Sequence, residues 1–183
     1  MATKTKATIE DLYHVPEDGK AEIVHGELVI MGPTGFLPGR AGGEIFASLR
    51  EYARRIRCGY AIPDNVGFKV NLPNRESFSP DAAFYTGKPT GMKFLEGAPI
   101  FAAEVRSEGD YVPAAEEKMA EKRADYFAAG TLVVWDVDLL AEEVVKVYRA
   151  SDPNSPTLYR RGEVAEAEPA VPGWSMPVDD LFE

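Results

Sequence analysis

Residues 100–137 constrain the fold more than any other part of this chain, because they read as strand, helix and strand in immediate succession. Residues 100–105 are a short, mostly apolar run of strand length. Residues 113–129 open on Pro113, carry Glu116 and Glu117 in the first turn and a charged face beyond, and stop at Gly130, the expected punctuation of a helix. Leu132-Val133-Val134-Trp135 then begins a second buried strand that runs to residue 137. A connection of this length is a crossover, so the two strands are expected to lie parallel in one sheet.

The segments on either side extend that unit. Ala21-Glu22-Ile23-Val24-His25-Gly26-Glu27-Leu28-Val29-Ile30-Met31 holds two β-rich runs joined at His25-Gly26, which predicts a hairpin opening the fold. After the turn Gly32-Pro33-Thr34-Gly35, Ile45, Leu49, Tyr52, Ala53 and Ile56 recur at helical spacing, so residues 41–56 are expected as an amphipathic helix. Residues 60–72 and 81–85 are further strand candidates of a central sheet, bounded by Asn71-Leu72-Pro73-Asn74 and Thr86-Gly87-Lys88-Pro89-Thr90-Gly91. Residues 144–148 follow the crossover closely enough to return antiparallel. Short strands are expected at 157–159 and around Glu163-Val164, and 165–169 reads as an acidic linker. The last segment, 171–182, is expected to pack through Trp174, Met176, Leu181 and Phe182. The fold class is therefore α/β, a mixed central sheet flanked by helices behind an N-terminal hairpin, in one domain over residues 1–183. No internal repeat is visible.

Composition excludes several classes of function. With 45% hydrophobic and 27% charged residues the chain has the profile of an ordinary globular domain. No apolar run approaches the roughly 20 residues that span a bilayer, and the opening MATKTKATIEDL lacks a signal-like apolar core, so a cytoplasmic protein without a membrane partner is expected. The single cysteine, Cys58, has no partner for a disulfide, a zinc site or a redox pair. Phosphate-loop, dinucleotide-turn and nucleophile-elbow motifs are absent, and two histidines cannot make a histidine-rich metal cage. His25 is assigned to the hairpin turn, where His tolerates left-handed geometry, and His14 is given no role. A net charge of −10 opposes nonspecific binding to nucleic acid, so any such site must be local. Arg50, Arg54, Arg55 and Arg57 offer one candidate; a solvated face that suits the helix dipole is the alternative.

What remains is carboxylate chemistry. Asp81 stands between Pro80 and the apolar Ala82-Ala83-Phe84, and Glu104 interrupts the buried run Phe101-Ala102-Ala103 before Val105. A buried carboxylate is costly unless paired or metal-bound. Two such acids on neighbouring strands suit a hard cation such as Mg²⁺ or Mn²⁺, and a nearby lysine, Lys122, could orient a nucleophile or stabilise developing charge in phosphodiester hydrolysis. The carbonyl of Val105 could complete the metal shell.

Taken in order, Glu22-Ile23-Val24-His25-Gly26-Glu27-Leu28, Met31-Gly32-Pro33-Thr34, Pro80-Asp81, Glu104-Val105-Arg106-Ser107 and Lys122 through Gly130 into Trp135-Asp136-Val137-Asp138 resemble the PD-(D/E)XK nuclease superfamily. Within it, they are similar to a bacterial restriction-endonuclease-like family of largely unknown function. The resemblance covers most of the chain and implies a restriction-endonuclease-like fold with Asp81 and Glu104 as metal-binding acids. The pattern asks for a lysine two residues after the second acid, and Arg106 stands there. Arginine stays protonated and is no tunable base. The resemblance implies that the lysine has moved to the following helix, as Lys122, with Lys118 one turn earlier in reserve, and that Glu22 is the early acid of the site. Arg106 and Ser107 either contact phosphate or satisfy the strand end.

Two functions are compatible with these residues. One is a Mg²⁺-dependent endonuclease acting on DNA as a symmetric homodimer. The other is a catalytically inactive nuclease-fold protein that binds a partner.

Overall fold

The structure is a computed structural model that describes residues 6–15 and 19–183; residues 1–5 of the opening stretch lie outside the described residues. A short helix α1, Ile9–Tyr13, is capped by Thr8, whose hydroxyl accepts from the Asp11 amide. Strands β1, Lys20–Val24, and β2, Glu27–Met31, form the expected hairpin. His25 and Gly26 turn it with φ of 50° and 74°, the double left-handed pair that tight hairpins require. No described helix is long and apolar enough to cross a membrane.

Helix α2 runs from Phe36 to Ile56, so it begins five residues before the apolar periodicity does. Its N-cap is Gly35, which makes no side-chain capping bond, and Pro38 lies within the first turn, where its missing N–H costs nothing. The segment expected as one strand over 60–72 is broken. Strand β3, Tyr60–Ile62, ends at Pro63, Asn65 is left-handed at φ 62°, and β4, Phe68–Lys69, resumes in another sheet. Strands β5, Ser77–Phe78, and β7, Leu95–Glu96, flank β4 in that small sheet. Between them in sequence, β6, Ala82–Tyr85, joins the main sheet.

Strand β8, Phe101–Val105, helix α3, Pro113–Ala128, and strand β9, Val133–Val137, are the crossover unit, and β8 and β9 pair parallel with Glu104 opposite Asp136. Strand β10, Val145–Arg149, returns antiparallel, and β11, Asp152–Tyr159, forms the edge, where Pro153 and Pro156 are tolerated. The six strands lie in the order β11, β10, β9, β8, β6, β3, a mixed sheet with one parallel pair at its centre. The short strand expected around Glu163-Val164 is β12, Val164–Glu166, paired with β13, Ser175–Pro177, and it takes in the first two residues of the stretch 165–169 read as an acidic linker. Its alanines, Ala165 and Ala167, are buried while the intervening glutamate faces outward. The C-terminal segment packs as expected, with Trp174 against Trp135 and Phe101.

Both faces of the central strands are covered, which explains their near-continuous apolar character. Phe101, Ala103 and Val105 face α2 and the C-terminal segment, together with Ala82, Phe84, Val133, Trp135 and Val137. Ala102 and Val134 face the other way, into a second core that holds Tyr126 of α3 and Phe68 and Phe78 of the small sheet. Strand alternation therefore turns Glu104 toward α3.

Candidate active site

Asp81 precedes β6, and its amide donates to the carbonyl of Ala103 at 3.1 Å. Because Ala82 pairs with Ala103, continuing the antiparallel register by one step sets Asp81 beside Glu104. Residues directly opposite on paired strands have Cβ atoms about 5 Å apart, close enough for both acids to serve one cation. The Val105 amide donates to Asp81 Oδ2 at 2.8 Å and fixes the carboxylate against the end of β8. It is thus the N–H of Val105 that meets Asp81.

Helix α3 delivers the lysine. Lys122 and Tyr126 are one turn apart on a single face, and both reach Glu104. Lys122 Nζ lies 2.9 Å from Glu104 and 2.8 Å from Glu22 Oε1, and the Tyr126 hydroxyl donates to Glu104 Oε1 at 2.6 Å. Lys118, one turn earlier, is exposed. Glu22 enters from β1 and is buried, with Oε1 accepting from the Ser79 amide at 2.9 Å and Oε2 paired with Arg75 at 2.6 Å. Arg75 in turn holds Asp125 at 2.8 Å.

The site also contains a cation and an acid that sequence reasoning did not assign. Lys20, two residues before Glu22 and so on the same face of β1, places Nζ 2.7 Å from Asp81 Oδ1 and 2.7 Å from Asp64 Oδ1. Asp64 comes from the break between β3 and β4, and Pro63-Asp64-Asn65 is a turn signal that could have revealed it. Lys20 carries no motif; only its period-two relation to Glu22 marks it.

Positive and negative groups alternate through the site, from Asp64 to Lys20 to Asp81 on one side and from Glu104 to Lys122 to Glu22 to Arg75 on the other. Burial pushes the Glu104 carboxyl up; Lys122 opposes this, but the charges of Asp81 and Glu22 add to it, and the result lies above the ordinary range. Burial also pushes on Glu22, yet Lys122 and Arg75 outweigh it and hold that carboxyl below the ordinary range. Burial works against the charge of Lys122, but Glu104 and Glu22 raise it well above an ordinary lysine, and Asp81 and Glu104 likewise raise Lys20 against burial. Both lysines are therefore fixed cations at neutral pH.

Arg106, at the position where the nuclease signature has lysine, is absorbed by the fold. Its Nε and Nη2 each donate to Asp136 at 2.8 Å in a two-pronged pair, and Nη1 binds Glu116. Ser107 caps the turn that follows through Asp110, and its hydroxyl meets that of Thr34 at 2.8 Å. Both residues satisfy the strand end.

Asp81 and Glu104 offer hard oxygen atoms, the donor type that Mg²⁺ and Mn²⁺ prefer, and Mg²⁺ commonly takes only one or two carboxylates with water and phosphate as its other ligands. The residues fit such an ion on those terms. Among the described residues no group of three or more acids, histidines or cysteines could hold a metal ion, so the donor set is a pair of acids, each oxygen of which accepts from Lys20, the Val105 amide, Lys122 or Tyr126.

The chain matches the Uma2 family model, described as "Putative restriction endonuclease", over residues 8–179. It is similar in structure to a solved protein of Anabaena variabilis titled "putative nuclease belonging to DUF820", with a TM-score of 0.74, 16% identity, and coverage of 96% of this chain and 97% of that one. At that identity the likeness is one of fold. No curated protein matches.

Proposed function

The chain belongs to the Uma2 family of restriction-endonuclease-like proteins within the PD-(D/E)XK superfamily, and from that premise we propose that it is a metal-dependent endonuclease hydrolysing DNA phosphodiester bonds. The observation that carries this reading is the meeting of elements remote in sequence at one point: Glu104 from β8, Lys122 from α3 and Glu22 from β1, with Asp81 in register beside Glu104. A Mg²⁺ or Mn²⁺ ion held by Asp81 and Glu104, with the Val105 carbonyl completing its shell, would polarise the phosphoryl oxygens and acidify a bound water.

The chain's own residues prepare the rest. Glu22 and Glu104 keep Lys122 protonated, so Lys122 acts as a fixed positive charge toward the phosphoryl group and not as a base. Tyr126 and the Val105 amide hold the two carboxylates in place. Glu22, tied to Arg75 and the Ser79 amide, positions Lys122. Lys20 neutralises Asp64 and Asp81. Cutting both strands of a duplex with one such site per chain calls for two copies, so a homodimer on DNA is part of the proposal.

Supercoiled plasmid incubated with the protein and Mg²⁺ or Mn²⁺ tests it. Nicking or linearisation is expected from the intact protein and not from Asp81→Ala or Glu104→Ala. Equal cleavage by all of them would overturn the assignment, and no cleavage by any would leave the inactive binding module as the correct reading.

A further inference from the structure

Arg50, Arg54 and Arg57 line one cleft of about 390 Å³ between the C-terminal end of α2 and β3, with Phe46, Ala53 and Tyr60. Among the described residues none of the three makes an ion pair or hydrogen bond, and neighbouring Arg55 makes only a ring contact with Tyr52 at 5.7 Å. Every other arginine of the chain is ion-paired. In a chain with 30 acids and 20 bases, leaving all the unpaired arginines in one place is a costly distribution. Arg50 and Arg54 are four apart on the helix and Arg54 and Arg57 three apart, so each pair repels by a few tenths of a kcal/mol.

Arg57 adds a backbone cost. It ends the helix at φ 54°, in the left-handed region where glycine is favoured and other residues lose about 1 kcal/mol. The helix dipole accounts for cations in the last turn, which holds Arg54 and Arg55, but Arg50 lies a turn earlier. Among the described residues no acid pairs with any of the three arginines, and the dipole leaves Arg50 unaccounted for.

Their position relative to the carboxylates gives a reason. Gly39, Gly42, Phe46, Arg50, Ala53 and Arg57 recur at intervals of three and four and so form one stripe along α2. At its start, Gly39 and Gly42 line a small pocket with Asp64 and Asp81, and a Cβ at Gly42 would lie 3.5 Å from Asp81. At its end lies the arginine cleft. The second wall follows the chain in the same way, from Tyr60 and Ala61 of the edge strand β3 to Asp64. At the rise of an α-helix the stripe runs about 12 Å from Gly42 to Arg50 and about 22 Å to Arg57, with Arg54 between them in height. At about 3.4 Å per nucleotide along one strand, that is roughly four to seven nucleotides.

We propose that the groove between α2 and β3 is a track for the DNA backbone, in which Arg50, Arg54 and Arg57 hold phosphates roughly four to seven nucleotides from the bond presented to Asp81 and Glu104. This rests on the nuclease reading and names the local positive surface that an otherwise acidic protein needs to approach DNA. The carboxylate end is neutralised by Lys20 and Lys122, so the remainder of the groove carries the net attraction.

Fluorescence anisotropy of a labelled duplex of about 20 base pairs, without divalent metal and over a range of salt, tests the track. Replacing Arg50, Arg54 and Arg57 together by alanine is expected to weaken binding about a hundredfold at about 0.1 M salt and to lower the slope of log K against log salt by about 2.7. Arg160→Ala with Arg161→Ala, removing cations elsewhere, is expected to change neither. Arg57→Gly separates binding from folding: it is expected to raise the melting temperature while weakening binding. An unchanged salt slope in the triple variant, or Arg57→Gly that binds as before, overturns the track. If that happens while Asp81→Ala still abolishes cleavage, the nuclease reading stands without it. If the intact protein neither binds nor cuts DNA, both fall, and tighter binding of RNA of the same length overturns the choice of DNA.

Discussion

Lys122→Met is expected to destabilise the protein mainly through Glu104. Lys122 Nζ lies 2.8 Å from Glu22 and 2.9 Å from Glu104, with the lysine side chain 16% exposed and those of the acids 5% and 24%. Without the ammonium, Glu22 keeps Arg75 and the Ser79 amide, while Glu104 keeps only the Tyr126 hydroxyl. Removing one partner of a buried pair costs about 3–5 kcal/mol; the partial exposure of Glu104 lets water recover part of that, so about 2–3 kcal/mol is expected. For a chain of this length that lowers the melting temperature by about 4–12 °C. The pH dependence shows that a carboxylate carries the effect, and the double variant with Glu104→Gln identifies it as Glu104. Glu104 already titrates above an ordinary carboxyl in the folded protein, and losing Lys122, which opposes that shift, moves it higher. An acid whose folded pKa exceeds its unfolded one makes the folded state bind more protons, so stability falls as pH rises from the unfolded value through the folded one. The deficit of Lys122→Met should therefore be largest near pH 8 and shrink toward pH 5. Adding Glu104→Gln should restore most of the loss. Urea denaturation at the two pH values measures both effects. An equal deficit at both, or a double variant no more stable than the single, would refute the assignment of the charge to Glu104.

Two further substitutions address the remaining charges. Lys20→Met removes the cation that bridges Asp64 and Asp81; if the partly exposed pair with Asp81 contributes about 1 kcal/mol, Mn²⁺ should bind about fivefold tighter by calorimetry, and unchanged affinity would show that Lys20 does not compete for the acids. Arg106→Lys restores the signature residue but loses the two-pronged bond to Asp136, so it should cost about 2 kcal/mol in urea denaturation and leave cleavage per folded molecule unchanged, and a gain in cleavage would show that the signature position is still live.

The sequence features that located the site were those that contradict their local surroundings. Glu104 interrupts an apolar run, and the paired strands and the crossover helix on either side account for its burial against α3. Features that depend on pairing between remote segments were harder to read. The pairing of Arg106 with Asp136 follows from the parallel register that sets Glu104 opposite Asp136, but the register itself is not written in either strand. Lys20 looks like any polar residue at a hairpin edge, and its role appears only when β1 is set against the end of β6. In the tail, acidic composition obscured an alternation of buried alanine and outward glutamate that does encode a strand, because composition averages over the two faces that a strand separates. The early start of α2 left no side-chain capping signal, since Gly35 caps it by backbone conformation alone.

The charge of this protein bears on its function through its distribution and not its total. A net charge of −10 would repel DNA if it were spread evenly. Within the carboxylate site, however, each buried acid meets a cation, so a phosphate arriving there faces pairs already close to neutral. In the proposed reading attraction then comes from cations that the fold leaves unpaired, the arginines that line the cleft at the end of α2. If the track is right, such an arrangement should bind DNA weakly except where the backbone lies along the groove. On the same reading the acidic surface elsewhere would reject other approaches, so the net charge would act as a filter on orientation, and raising salt should weaken productive and nonproductive binding by different amounts.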